Sequence, residues 1–254
     1  MDKMQLLFLG TGAADTMHDT FSNHFRNADE RRCTCTLVNG HILLDCGPHA
    51  ADALRIAHIP FEMVTDVIFT HLHDDHFNWN ALREIAEHGA RTLHVWYLAG
   101  EAIPKLQNCR YHPVQVFCPY DGNGFTLTPL SANHSVNAMH LLLSVNGKKL
   151  YYALDGAWMT YDTRVYLQDQ NADAAVIDCT TGDMMDFRFA EHNSIPMLRL
   201  MIPQMRQLHM LRADAVVVAD HIAVTLHVPH DQLEAQLRPD NILAAHDGLT
   251  LDIL

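Results

Sequence analysis

The chain of 254 residues carries a formal net charge of -13, and 48% of it is hydrophobic. That length is enough to bury a full core, and the balance of apolar and charged residues is that of a globular domain. The excess of negative charge argues against a long polyanionic partner, since phosphate contacts supply most nucleic-acid affinity, and no basic run offers a stripe for RNA.

In chain order, the opening MDKMQLLFLGTGAAD has one lysine and a short apolar run broken by Gly10 and Gly12. That is too weak for a signal peptide, and no apolar stretch is long enough to span a bilayer. A cytoplasmic location is expected, with the six cysteines held as reduced thiols. LLFLG (Leu6 to Gly10) reads as a buried strand ended by a turn, and residues 15–32 as a polar, irregular loop. CTCTLVNGHILLDCG predicts a hairpin around Asn39-Gly40, a preferred pair for a tight turn. Its CTC is either a partial metal site or two alternating residues of a strand. HAADALRIAHI has helical spacing, VTDVIFTH is a short strand, NWNALREIAEHG is a helix ending near Gly89, and TLHVWYLA is a strand. PYDGNG, near residues 119–124, reads as a turn.

The second half repeats the style. HLLLSVNGKKLYYALDG predicts a hairpin around Asn146-Gly147, while DAAVIDCT and DAVVVADH predict apolar strands with polar ends. A Met/Leu-rich helix, IPMLRLMIPQMRQLHML, lies between those two, its methionines filling core. HDQLEAQL is a short helix and LTLDIL a closing strand. Mixed strands and helices imply an α/β domain, taken as a single unit over residues 1–254. The polar clusters sit just past strand ends, where sites are commonly assembled.

THLHDDHFN, Thr70 to Asn78, concentrates the coordinating chemistry in a chain with 19 histidines. His71 and His73 share one side of an extended or turning backbone. Asp75 and His76 follow before the chain bends into a helix. Imidazole nitrogen and carboxylate oxygen suit Zn²⁺, Mn²⁺ or Fe²⁺. Four ligands on one loop exceed what a single tetrahedral ion with an open position needs, so two ions side by side are expected.

The order His71-x-His73-x-Asp75-His76 resembles the signature of the metallo-β-lactamase superfamily. Asp45 in LLDCG, His134 in SANHS, Asp155 in YALDG and His221 in VVADHIA resemble its other motifs, in order along the chain. The resemblance implies a four-layer αββα sandwich. It also implies that His71, His73 and His134 hold one metal, that Asp75, His76 and His221 hold the other, and that Asp155 bridges them, with a hydroxide shared between the ions and Asp45 orienting the loop.

FLGTGAAD, the Arg31-Arg32 pair, IDCT, EHN at His192 and HDGLTLDI are similar to the branch that contains tRNase Z and the PhnP-like phosphodiesterases. That similarity implies a general-acid or phosphate-binding role for His192, with catalysis resting on His192 and Asp75. A histidine suits the acid role because small shifts bring its pKa near neutrality. There are departures from the branch. Residues 15–32 lack the cysteines that hold a structural zinc there, although His18, His24, His227 and His230 are present, and Met139-His140 stands where relatives have a Gly-aromatic pair. His140 is expected to face solvent on its strand or to add a polar contact at the pocket wall. Asp74 has no coordinating job.

The expected activity is therefore hydrolysis of a small phosphate ester, cyclic ones included, by a dinuclear metal enzyme. The expected partners are that small molecule, no membrane and no nucleic acid, with a homodimer compatible. A carboxyl-ester, lactone or thioester hydrolase, or a non-catalytic metal-binding accessory protein, are the competing readings.

Overall fold

The computed structural model describes residues 3–89, 92–183 and 187–254. Its first sheet has the order β14-β1-β2-β3-β4-β5-β6, built from β1 (Met4–Gly10), β2 (Cys35–Val38), β3 (Ile42–Leu44), β4 (Asp66–Ile68), β5 (Leu93–Leu98), β6 (Cys109–Val114) and β14 (Thr250–Ile253). The second runs β13-β12-β11-β10-β9-β8-β7, from β7 (Tyr120–Asp121), β8 (Phe125–Ser131), β9 (Met139–Val145), β10 (Lys148–Ala153), β11 (Ala172–Asp178), β12 (Leu211–Asp220) and β13 (Ile242–Ala244). The helices are α1 (Ala50–Ile56), α2 (Trp79–His88), α3 (Tyr161–Leu167), α4 (Ile195–Gln207) and α5 (His230–Leu237).

The inner faces of the sheets meet in one core, where Phe8, Leu44 and Trp96 pack with Leu141, Tyr152 and Val218. Leu54 of α1 and Leu82 and Ile85 of α2 cover the outer face of the first sheet. Leu198 and Ile202 of α4 and Leu233 of α5 cover the second. The result is a four-layer αββα sandwich. Among the described residues no helix is long and apolar enough to cross a membrane.

Both Asn-Gly hairpins form as their sequences dictate. Asn39 and Gly40 have φ of 48° and 73°, and Asn146 and Gly147 have 51° and 73°. These left-handed pairs match the twist of the flanking strands. Beyond the hairpins each sheet turns parallel, from β3 to β6 and from β10 to β13. Parallel strands covered on both faces need nearly continuous apolar runs, which Ala174 to Ile177 supply. Asn78 caps α2, its side chain accepting from the backbone N–H groups of Asn80 and Ala81.

Several elements lie outside the sequence expectations. β6 and β8 carry Pro113 and Pro129, which weaken a strand pattern, although β6 is an edge strand where proline is tolerated. α3 has two buried residues and β13 is three residues long, too little for a period to show. Tyr120–Asp121, inside the stretch read as a turn, pairs with β8. In CTC, β2 begins at Cys35, Cys33 pairs with Gly12 in an isolated bridge, and both cysteines are buried. Burial pushes the Cys33 thiol up to about 12, and no candidate metal cluster among the described residues includes a cysteine.

The irregular loop over residues 15–32 is pinned at its end. The Arg32 guanidinium sits between Phe21 and Phe25, 5.0 and 5.1 Å from their ring centres. Its Nη1 donates to Asp247 Oδ2 at 3.0 Å, and the Arg32 backbone N–H donates to the same oxygen. Both side chains are buried. Removing one partner of a buried pair leaves the other charge uncompensated. Asp247→Ala is therefore expected to lower unfolding free energy by about 3–5 kcal/mol in urea titration, with Arg32→Met/Asp247→Leu costing less than the sum of the single changes.

Candidate metal centre

Every side chain of the centre leaves the carboxyl end of a strand or the turn after it, where open α/β sheets place their ligands. β3 delivers Asp45, β4 delivers His71 to His76, β8 leads to His134, β10 delivers Asp155, and β12 delivers His221. Asp45, Asp155 and His221 have φ of 60°, 49° and 59°. Such strained conformations in non-glycine residues persist only where surrounding contacts hold them, and they cluster at functional sites.

The donor atoms converge in four overlapping groups, two of which bring in His192, with Asp155, Asp178 and His221 or with His134 and Glu191. The other two are made of the residues of the motifs. His71, His73 and His134 form one, and Asp75, His76, Asp155 and His221 the other, with ligand atoms within 4.8 Å of one another in each. His71 Nε2 and His134 Nε2 lie 3.0 and 3.2 Å from His73 Nδ1. In the second group the Nε2 atoms of His76 and His221 are 3.2 Å apart. Asp155 Oδ2 touches His76 Nε2 and lies 3.2 Å from His221 Nε2 and 3.9 Å from His71 Nε2. That one oxygen spans both groups, where a bridging ligand would sit. Asp74, by contrast, is exposed and belongs to neither group.

The hydrogen bonds behind the cluster decide where its protons lie. Asp45 accepts from the Thr70 backbone N–H, the Thr70 hydroxyl and His76 Nδ1, the last at 2.8 Å. Because the Thr70 hydroxyl proton goes to Asp45, His71 Nδ1 donates to Thr70 Oγ1 at 3.1 Å. Thr180 repeats the device: its hydroxyl donates to Asp178 Oδ2 at 2.8 Å and accepts from His221 Nδ1 at 2.7 Å. The Nδ1 atoms of His71, His76 and His221 therefore carry the protons, and their Nε2 lone pairs face inward. Second partners of this kind fix a metal-binding imidazole's tautomer and orientation.

Inward lone pairs at 3.2 Å, together with buried carboxylates, call for positive charge between them. Burial opposes charge on His76, but Asp155, Asp75 and Asp45 outweigh it and push its pKa well above the usual histidine value. His221 is raised likewise, burial being outweighed chiefly by Asp155. Protonating both would point two N–H groups at each other. Divalent cations would satisfy the carboxylates and the lone pairs together, so the donor set fits two ions, one that His71, His73 and His134 would hold and one that Asp75, His76 and His221 would hold, with Asp155 between. Nitrogen and carboxylate donors of this kind suit zinc, manganese or iron.

An open cavity of about 230 Å³ lies over the cluster, with Asp15, Thr180, Arg188, Glu191 and His192 on its walls. His192 Nδ1 is 2.9 Å from Asp178 Oδ2 and 3.4 Å from Asp155 Oδ1. Its ring stacks on that of His221 at 5.5 Å and 9°. Asp178 Oδ1 also accepts from the Asn193 backbone N–H at 2.7 Å, locking the turn that carries His192. Asp178, Thr180 and Thr70 are the supporting residues that sequence reasoning missed. The available signal for Asp178 and Thr180 was the strand-end pattern of IDCT, which matches LLDC at Asp45.

The remaining histidines stay out of the cluster. His140 is buried and faces neither solvent nor the cavity, contrary to both sequence expectations. Its Nδ1 lies 2.9 Å from the Tyr151 hydroxyl, and burial pushes its pKa down to about 4. Its Nε2 packs against Gly156, where a β-carbon would come within 2.4 Å. His227 Nε2 donates to the Cys179 carbonyl at 2.6 Å, and His230 Nδ1 lies 3.0 Å from Arg31 Nη2. His18, His24, His227 and His230 enter no candidate metal cluster among the described residues.

Residues 4–92 match the family model described as Anti-Pycsar protein Apyc1. Over 83 residues the chain is 35% identical to the Anti-Pycsar protein Apyc1 of Bacillus phage BSP38, a stretch that spans 32% of this chain and 28% of that protein. Among solved structures, the metallo-β-lactamase fold protein YhfI from Bacillus subtilis superposes with a TM-score of 0.78 at 18% identity, covering 99% of this chain and 100% of that one. A diphosphatase from the PhnP family superposes with a TM-score of 0.74 at 17% identity, covering 98% and 97%. The chain has the metallo-β-lactamase fold.

Two substitutions test the assignment of ligands and supports. Asp155→Ala is expected to lose both ions together, whereas Asp45→Ala should retain the site with metal affinity lower by about 10–100-fold. Metal analysis after dialysis against graded chelator measures both.

Proposed function

We propose that the chain is a dinuclear metal-dependent hydrolase acting as a phosphodiesterase on a small phosphate ester, cyclic esters included. The observation that carries this reading is His192, oriented by Asp178 over the shared carboxylate of the metal cluster. One structural neighbour is a diphosphatase from the PhnP family, which supports phosphorus-directed chemistry on this fold.

Bound divalent ions supply Lewis acidity, lowering the pKa of water and stabilising negative charge at phosphorus. The protein's own part begins with positioning. With its Nδ1 proton donated to Asp178, His192 presents Nε2 as the working nitrogen. Burial opposes charge on His192, but Asp178 outweighs it and raises the pKa above the usual histidine value. The imidazolium can then donate a proton from Nε2 to a departing alkoxide, and Asp178 stabilises the ring before transfer. Asp75 lines the same cavity, with Oδ2 3.4 Å from His221 Nε2, and is placed to accept a hydrogen bond from the attacking water.

A cavity of about 230 Å³ suits a small ester. The net charge of -13 disfavours a long nucleic acid. Carboxyl-ester, lactone or thioester hydrolysis would use the same ions without needing the His192–Asp178 pair in this role.

The metal-loaded protein is expected to hydrolyse bis(p-nitrophenyl) phosphate in preference to p-nitrophenyl acetate or a simple lactone. Turnover of the carboxyl ester alone would sink the phosphodiesterase reading. His192→Ala should keep both ions, lose about 10²–10⁴ in rate on alkyl phosphodiesters, and lose far less on p-nitrophenyl esters, whose leaving group needs little protonation. A loss of metal matching that of His73→Ala would make His192 a ligand instead.

A further inference from the structure

We propose that Arg188 contacts the substrate and binds a non-bridging oxygen of its phosphate group. This inference rests on the phosphate-directed reading above and deepens it.

Arg188 lines the cavity over the metal cluster, and among the described residues it is the sole lysine or arginine to do so. It lies in a short 3₁₀ turn, Phe187–Ala190, which Glu191 alone separates from His192. Its carbonyl accepts from the backbone N–H groups of Glu191 and His192 at 2.8 and 2.9 Å. The residue that carries the guanidinium and the residue placed as the acid are thus tied into one turn. The guanidinium carbon also lies 5.3 Å from the Phe187 ring centre, a cation–π contact that restrains it.

Charge gives the arginine its task. Asp45, Asp75, Asp155 and Asp178 are all buried around the cluster, and together they balance two divalent ions. Asp15 and Glu191 add negative charge at the cavity wall. A phosphodiester brings one more negative charge, and nucleophilic attack adds another. Once the His192 imidazolium has given up its proton, a permanent cation at the cavity wall offsets the added charge alongside the ions. A guanidinium, with its planar fork of donors and its high pKa, matches phosphate oxygens at every working pH.

The test is calorimetric titration of the dimetal protein with inorganic phosphate, with metal content measured on each sample. Arg188→Gln is expected to retain both ions and bind phosphate roughly ten- to hundredfold more weakly. Arg188→Lys should fall between that variant and the unaltered protein, because it keeps the charge and loses the fork. Unchanged phosphate affinity in Arg188→Gln overturns the assignment, as does failure of the unaltered protein to bind phosphate. A parallel loss of metal also overturns it, by making Arg188 a structural residue. If the phosphate result is as expected but no diester is hydrolysed, the clamp stands and the phosphodiesterase reading falls.

Discussion

The structure depends on one electrostatic constraint: buried carboxylates and bare imidazole nitrogens are brought together at the ends of two sheets. Asp155 is buried with an oxygen shared between the two ligand groups. Isolated charge of this kind is costly to bury. What makes it tolerable is a pair of carboxylate and hydroxyl devices behind three imidazoles. Asp45 with Thr70, and Asp178 with Thr180, take up the Nδ1 protons and leave Nε2 for a cation. The left-handed backbone at Asp45, Asp155 and His221 is part of the same arrangement, since it turns those residues off their strands.

The fold serves that convergence. Each sheet changes from antiparallel hairpins to parallel strands, so several carboxyl ends open on one side. Helices on the outer faces leave that edge uncovered. The Asp178 carboxylate then links the two halves of the working site. One of its oxygens supports the His221 side through Thr180, and the carboxylate also orients His192 over the cavity. In the proposed mechanism, metal binding and proton delivery would share a single buried anion.

Much of this was legible in the sequence because it is local. The spacing of His71, His73, Asp75 and His76 is a single turn of chain, and both Asn-Gly hairpins announce themselves. Asp155, His134 and His221 were found by motif order, and the structure brings their side chains to the same place. Asp178 was not found, because a strand-end aspartate reads the same whether it supports a site or not. Asp220, also buried at a strand end, instead caps the His221 backbone N–H, and burial pushes its pKa up to about 7. Only tertiary contact separates the two. His140 was misjudged for a related reason: strand alternation does not reveal that its partner across the sheet is a buried tyrosine. Arg188 sits in a short turn with no periodic pattern, so its place on the cavity wall is visible only in three dimensions.

The central claim is that the two ligand groups hold two ions joined by Asp155. Anomalous diffraction above and below the absorption edge of the bound metal, combined with elemental analysis of the same preparation, tests it most directly. The account predicts two ions per chain, about 3.5–4 Å apart, each against one ligand group, with Asp155 between them. A single ion per chain at full metal loading, or two ions with Asp155 bound to neither, would contradict it.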